Sequence, residues 1–373
     1  MEFTLFIIIA VAFLFDFTNG FHDTANAIAT IVSTRALSPR LAVIGASTLN
    51  FVGAFISLKV AATIASGVVN PDAVTLPTVL AALVGAIIWN LITWRIGMPS
   101  SSSHALVGGI SGAAMMTAGW GVIKWHGLES KVLLPSLISP FIGLVAAALL
   151  MFIILRVVSR YPHRLTDKVF RRLQLVSGGF VALMHGTNDA QKTMGIIALA
   201  LTIASANNHF EVPLWVILSS ATAMAAGTWV GGWRIIRTIG EKITKLDPSQ
   251  GFAAQTATAA TLGVTSQLGF PVSTTQTISG SIVGAGIARK GSVVNWKVIQ
   301  NIVIAWLVTI PSAAVFGAIA QLITRLPDGV GILFLVMVVV VAGIYITKDW
   351  TWETNAQIKT ILALIQRTRK RKS

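Results

Sequence analysis

Apolar positions fall in runs too long for the core of a soluble domain. In chain order they predict spans over 3–32, 41–66, 77–96, 99–118, 133–155, 173–204, 213–233, 252–268, 270–288, 298–325 and 329–347. About 20 apolar residues suffice to cross a bilayer as helix. The expected fold is therefore an all-α polytopic membrane protein with about 11–12 membrane segments. Polar residues interrupt the pattern at few points. In GMPSSSSHALVG (97–108) a proline introduces four consecutive hydroxyls between two apolar runs. Such a cluster has no place on a lipid-facing helix.

Composition sharpens this reading. Of the 373 residues, 54% are hydrophobic and 11% charged, and the mean hydropathy is +0.77. A soluble domain carries roughly a quarter charged residues, and no polar stretch here is long enough to form one. The first residues, MEFTLFIIIAVAFLFDF, lack the basic region and small-residue cleavage site of a signal peptide and are expected to form a mature first helix. Cysteine is absent, which excludes disulfides, thiol catalysis and thiolate metal sites.

The net charge of +15 raises nucleic acid as a partner, but its distribution argues against one. Arg156, Arg160, Arg164, Lys168, Arg171 and Arg172 share one loop, and Arg367, Arg369, Lys370, Arg371 and Lys372 lie in the last residues. Basic clusters beside apolar spans follow the positive-inside rule. Arg35 and Arg40, loop 234–250 and loop 289–297 fall on the same side, while the loops at 70 and 205–213 carry no Lys or Arg. The N-terminus is expected outside and the C-terminus in the cytoplasm of a cell membrane, with only the weakly basic loop 119–132 against the rule. Lys59, inside a span, is expected to snorkel to the outer interface. Residues 348–373 are expected to form a basic amphipathic helix on the anionic inner leaflet.

The chain repeats itself. GMPSSSSHALVGGISG (97–112) aligns with GFPVSTTQTISGSIVG (269–284), with Gly97, Pro99, Ser101, Gly108, Ile110 and Gly112 matched by identical residues and Ser102 and Ser103 facing Thr274 and Thr275. NGFHDTANA (19–27) faces HGTNDAQKT (185–193), matching Gly20 to Gly186 and Asp23 to Asp189. The topology runs the two copies in opposite directions, as in the inverted repeats of secondary transporters. The expected organisation is a first repeat over 1–158, a basic linker over 159–172, a second repeat over 173–325, an extra transmembrane helix over 326–347 and the tail.

The motifs suggest chemistry. Asn19-Gly20 and His185-Gly186 are expected to break helices, and Pro99 and Pro271 to start new ones. A helix N-terminus offers unpaired N–H groups and a positive dipole end, so hydroxyls clustered there form an oxyanion site. Ser101, Ser102 and Ser103 are expected to form one half of an anion cradle, and Ser273, Thr274 and Thr275 the other. Gln191 and Lys192 are placed with the anion; Lys192 either contacts it or pairs with Asp189. Ionisable groups inside spans are costly and functional. Asp23 and Asp189, with Asn26 and Asn188 beside them, would repel an anion unless a cation joins them, which is the logic of symport. They are the candidate site for a sodium ion or proton, with no other cofactor expected. His22 and His185 receive no proton role, Asp16 is a weak candidate near the outer end of its span, and Asn90, Gln255, Thr256 and Thr258 are read as helix-to-helix hydrogen bonds.

GFHDTANAIAT, HGTNDAQKTMG, GMPSSSSHALVGG, GEKITKLDPSQGFAAQ and GFPVSTTQTISG together resemble the signatures of the inorganic phosphate transporter family, in particular bacterial low-affinity permeases. The resemblance extends to about residue 325. It implies inverted repeats, proton- or sodium-coupled phosphate uptake, a homodimer, and phosphate carried partly as a complex with a divalent metal. The family also contains sulfate permeases. Phosphate keeps a P–OH donor at neutral pH and sulfate keeps none, so buried carboxylate acceptors favour phosphate. An intramembrane hydrolase using Asp and His is the reading of another class, and no HExxH spacing or nucleophile elbow supports it. An anion channel fits buried carboxylates less well than coupled transport does.

Overall fold

The computed structural model describes residues 2–159, 161–205 and 211–345. The tail helix expected at 348–373 lies outside them. Among the described residues the architecture is helical, with one isolated bridge between Val69 and Ile123 in place of any strand.

The first half contains α1 (Glu2–Ser33), α2 (Pro39–Gly53), α3 (Lys59–Ser66), α4 (Leu76–Arg95), α5 (Ser102–Ala118), the short α6 (Trp125–Leu128) and α7 (Leu134–Val158). The second contains α8 (His163–Ser205), α9 (Leu214–Val230), α10 (Trp233–Arg237), α11 (Pro248–Gln267), α12 (Thr274–Ile287) and α13 (Trp296–Thr324). α14 (Val330–Tyr345) follows. Among the described residues, four stretches are long and apolar enough to cross a membrane alone: α1, α4, the run Trp125–Val158 and α13; α9 and α10, bent by 62°, make a fifth. The remaining helices are shorter or face a polar interior, and lipid exposure is what forces a helix to be apolar all round.

Local sequence explains the helix ends. Asp247 caps α11 in a capping box with Gln250, with Pro248 in the first turn. That is the role of DPSQ within GEKITKLDPSQGFAAQ. Gly97 and Gly269 sit at φ 67° and 77°, ending α4 and α11 in the left-handed conformation that favours glycine. Met98 N–H then returns to Thr93 O and Phe270 N–H to Thr265 O, each at 2.9 Å. Ser101 and Ser273 cap α5 and α12 by accepting from the N–H of His104 and Gln276.

The same packing occurs twice. α1 lies on α9 as α8 lies on α2; α5 lies on α13 as α12 lies on α7. Glycines fix each crossing. A Cβ on Gly20 would strike the Met224 carbonyl, and one on Gly186 the Asn50 carbonyl. Gly108 and Gly112 face the Ile310 and Ala314 carbonyls, as Gly280 and Gly284 face those of Pro140 and Leu144. Thr238 donates to Gly97 O at 2.9 Å, and Thr63 to Gly269 O at 2.7 Å. Each half thus encloses the other's short helix, and both copies are needed to build the centre.

Three sequence expectations change. α1 and α8 run unbroken through Asn19-Gly20 and His185-Gly186; these glycines admit a neighbouring backbone instead of ending a helix, because the crossing helix leaves no room for a Cβ. The span expected over 41–66 divides between α2 and α3. The loop expected at 234–250 is partly helical and packs on α1.

Candidate functional site

α5 and α12, 17 and 14 residues long, reach about 26 and 21 Å at 1.5 Å per residue. Both fall short of a hydrocarbon core of about 30 Å. Each therefore begins within the protein, and its first turn meets the middles of α1 and α8. There Ser102 donates to Asp23 Oδ2 at 2.7 Å, and its counterpart Thr274 donates to Asp189 Oδ2 at 3.4 Å. Thr275 donates to the other oxygen of Asp23 at 3.4 Å. Asn26 donates to both Thr274 and Thr275 at 2.9 Å. Lys192 bridges the halves, 2.9 Å from Asp189 Oδ1 and 3.2 Å from Ser102 Oγ.

The two carboxylates converge. One ligand atom from each of Asp23, His185 and Asp189 lies within 4.8 Å of the others. Asn188 donates to Asp189 at 3.1 Å and to Val272 O at 2.9 Å. Ser103 donates to the same carbonyl at 3.3 Å. None of these residues is more than 2% exposed, so the cluster is closed from both faces of the protein.

The expected hydroxyls and carboxylates are therefore in one cluster, but their roles differ in detail. Ser101 and Ser273 use their oxygens as helix caps. Gln191 accepts the N–H groups of Val60 and Ala61 at 2.8 and 3.1 Å, and so serves as the N-terminal cap of α3, which has none of its own. Sequence reasoning left the histidines aside, yet each meets a carboxylate: His22 Nδ1 lies 2.7 Å from Asp23, and His185 Nε2 lies 3.1 Å from Asp189. The i,i+4 spacing of His185 and Asp189 was a readable signal, since it places both on one helix face. Thr93 and Ser100, which approach His22 Nε2 at 3.2 and 3.3 Å, and Asn50, 3.2 Å from His185 Nδ1, carried no local signal.

The cluster has the donors for a hard cation. The Oδ1 atoms of Asn26 and Asn188 are buried without a hydrogen-bond partner beside the two carboxylates. Carboxylate and amide oxygens suit such ions. The imidazoles aside, two carboxylates and one ammonium leave a net charge of −1 in a closed site. A buried anion added to that charge needs cations with it.

A profile of the "Phosphate transporter family" matches residues 19–317, which contain every residue of this cluster. The chain belongs to that family. It is 50% identical over 314 residues to a probable low-affinity inorganic phosphate transporter of Rhizobium meliloti (strain 1021), covering 84% of this chain and 94% of the relative. It is 47% identical over 318 residues to one of Mycobacterium bovis, covering 85% and 76%. A relative in Bacillus subtilis (strain 168) is 45% identical over 323 residues, covering 86% and 97%. Among solved structures, "The sodium-dependent phosphate transporter" superposes with a TM-score of 0.77 at 26% identity, over 88% of this chain and all of that one. This family membership makes the chain a multi-pass transporter of phosphate and excludes the hydrolase.

Proposed function

We propose that this phosphate transporter imports inorganic phosphate by symport with sodium ions or protons. Its two halves would act as inverted repeats, with the N-terminus outside and the C-terminus in the cytoplasm. The observation that carries the reading is the matched pair of bonds from Ser102 to Asp23 and from Thr274 to Asp189. A hydroxyl has one proton to donate. While it donates to a carboxylate it has none for an anion. A cation held by Asp23, Asp189, Asn26 and Asn188 removes the carboxylate's claim and lets the hydroxyls turn to phosphate. Helix N-terminal N–H groups add partial positive charge without a full ion pair, which keeps the anion releasable. Cation and anion then bind together or not at all, and the closed site makes exchange with either face depend on movement of the halves.

The relatives' names support phosphate, and the solved neighbour's name supports sodium. Transport as a divalent metal complex and assembly as a homodimer belong to the same reading. The test is uptake of radiolabelled phosphate into proteoliposomes. Uptake should require an inward sodium or proton gradient and accumulate phosphate against its own. Accumulation only with magnesium or calcium present would identify the metal complex as substrate. Equal competition by sulfate would widen the substrate to oxyanions. Flux without any coupling gradient would overturn symport in favour of a channel.

A further inference from the structure

A second polar cluster lies apart from the aspartate pair. Asp16 is seven residues before Asp23 on α1, about 10 Å along the helix axis. It is fully buried, and neither of its carboxylate oxygens has a hydrogen-bond partner. Asn19, one turn on, shares its face. Asn90 comes from α4. α1 and α4 pack on each other and, in the expected topology, both run from outside to inside; His22 meets Thr93 at 3.2 Å and Phe21 meets Trp94 at 5.3 Å. Asn19 and Asn90, each three residues before a member of the His22–Thr93 contact, therefore stand at one level. Both amides are buried with nitrogen and oxygen alike unpartnered. The Thr193 hydroxyl of α8 lies beside Asp16 without closing a hydrogen bond.

Two buried amides with no partner, and a buried carboxylate with only the Thr193 hydroxyl beside it, are a costly arrangement. Helix packing does not require it, because the second copy does without it. The residues matching Asp16, Asn90 and Thr193 there are Ala182, Leu262 and Ala27, all buried and apolar. Only Asn19 has a polar counterpart, His185.

We infer that Asp16, Asn19, Asn90 and Thr193 form a binding site for a monovalent metal cation of the sodium class, separate from the aspartate pair. The donor set is all oxygen: two from a carboxylate, two from amides and one hydroxyl. That set suits a hard cation. One negative charge matches one positive charge; a divalent ion would leave net charge buried. The charged groups in range are Lys192 and Asp189, which are paired with each other at 2.9 Å, so an ionised Asp16 would have no counter-charge of its own in the protein. The carboxylate excludes an anion. With the N-terminus outside, the site lies on the outer side of the aspartate pair and loads before it. Cation binding itself does not depend on the symport reading; only that order does.

Sodium binding is measured on the full chain in lipid nanodiscs without phosphate, choline replacing sodium, by radiolabelled sodium and by thermal midpoint. Asp23→Asn weakens the central site and should leave a saturable sodium-dependent stabilisation. Adding Asp16→Ala should abolish it. Asn90→Leu and Thr193→Ala, which install residues the second copy already carries, should each weaken sodium by about tenfold, the scale of one lost bond to a charge. They carry the test where the Asp16 variant fails to fold. Unchanged sodium affinity in these variants, or a stabilisation that follows pH and ignores sodium, overturns the proposal. Loss of coupled phosphate uptake with this sodium binding intact would sink the symport reading alone.

Discussion

α1 and α8 carry the same aspartate into the same centre and surround it differently. Asp23 is met by an imidazole and two hydroxyls: His22 at 2.7 Å, Ser102 at 2.7 Å and Thr275 at 3.4 Å. Asp189 is met by the Lys192 ammonium at 2.9 Å, where α1 has Asn26. One copy therefore holds a carboxylate whose charge is already balanced. The other holds one that needs a cation from outside. A duplicated motif supplies the geometry, and a single exchange of Asn for Lys divides the labour. If the proposed symport holds, Asp23 would be the group that the coupling ion reaches, while Lys192 pairs with Asp189 and contacts Ser102 at 3.2 Å.

The comparison breaks first at Asp23. Asp23→Asn should abolish coupled uptake in proteoliposomes while the protein inserts and melts near the wild-type temperature. Wild-type uptake at normal expression would remove Asp23 from coupling. Asp189→Asn should also abolish uptake, but for another reason. It strands a buried ammonium, and breaking such a pair costs about 3–5 kcal/mol. Its thermal stability should fall, and Lys192→Met added to it should recover most of the loss. Equal stability of Asp23→Asn and Asp189→Asn would show that the two carboxylates are equivalent after all.

The hydroxyls come next. Replacing Ser102 and Thr274 together by Ala keeps both helix starts and removes the matched donors. A bond to a charged group contributes about 1.5–3 kcal/mol, and about 1.4 kcal/mol is tenfold in affinity. Phosphate affinity should fall at least about tenfold, with sodium binding less affected. Unchanged affinity would return these hydroxyls to helix packing. Gly20→Ala and Gly186→Ala should then cost similar amounts, about 1–3 kcal/mol from overpacking, because each faces a backbone carbonyl of the crossing helix. A large difference between them in thermal midpoint would deny the equivalence of the two crossings. The last experiment leaves activity unchanged. Asn70→Cys and Asp167→Cys are both exposed and far from the centre, and the chain has no cysteine of its own. A membrane-impermeant reagent should label the first from outside and the second only after permeabilisation. Labelling of both from one face would overturn the inversion.

Most helix limits were legible because they are local. The apolar runs mark α1, α4 and α13 to within a few residues. The G-x-P motifs mark two hairpins because a left-handed glycine and a capping hydroxyl act within one turn. The duplicated aspartates stood out as well, since a carboxylate inside an apolar run is too costly to leave without partners, and both lie in the buried cluster. What failed was the meaning of Gly20 and Gly186. A glycine inside an apolar run reads alike whether it ends a helix or admits a neighbour. Gln191 failed for a related reason: its place in a site motif said nothing of the α3 N-terminus that its side chain caps.

By itself, then, the sequence determined a polytopic helical protein, its internal repeat, and the stock of carboxylates and hydroxyls that gather in one buried cluster. Hydropathy, glycine conformation and helix capping act over a few residues, so they are written in short stretches. Only the tertiary structure decided that α1 and α8 pass unbroken, that Ser102 belongs to Asp23 and Thr274 to Asp189, that Lys192 pairs with Asp189, and that Asp16 and Asn90 are buried with no hydrogen-bond partner. The hydroxyl–carboxylate pairings join residues 79 and 85 positions apart. Helix crossings set them, through which glycine faces which carbonyl, and no local rule contains that information.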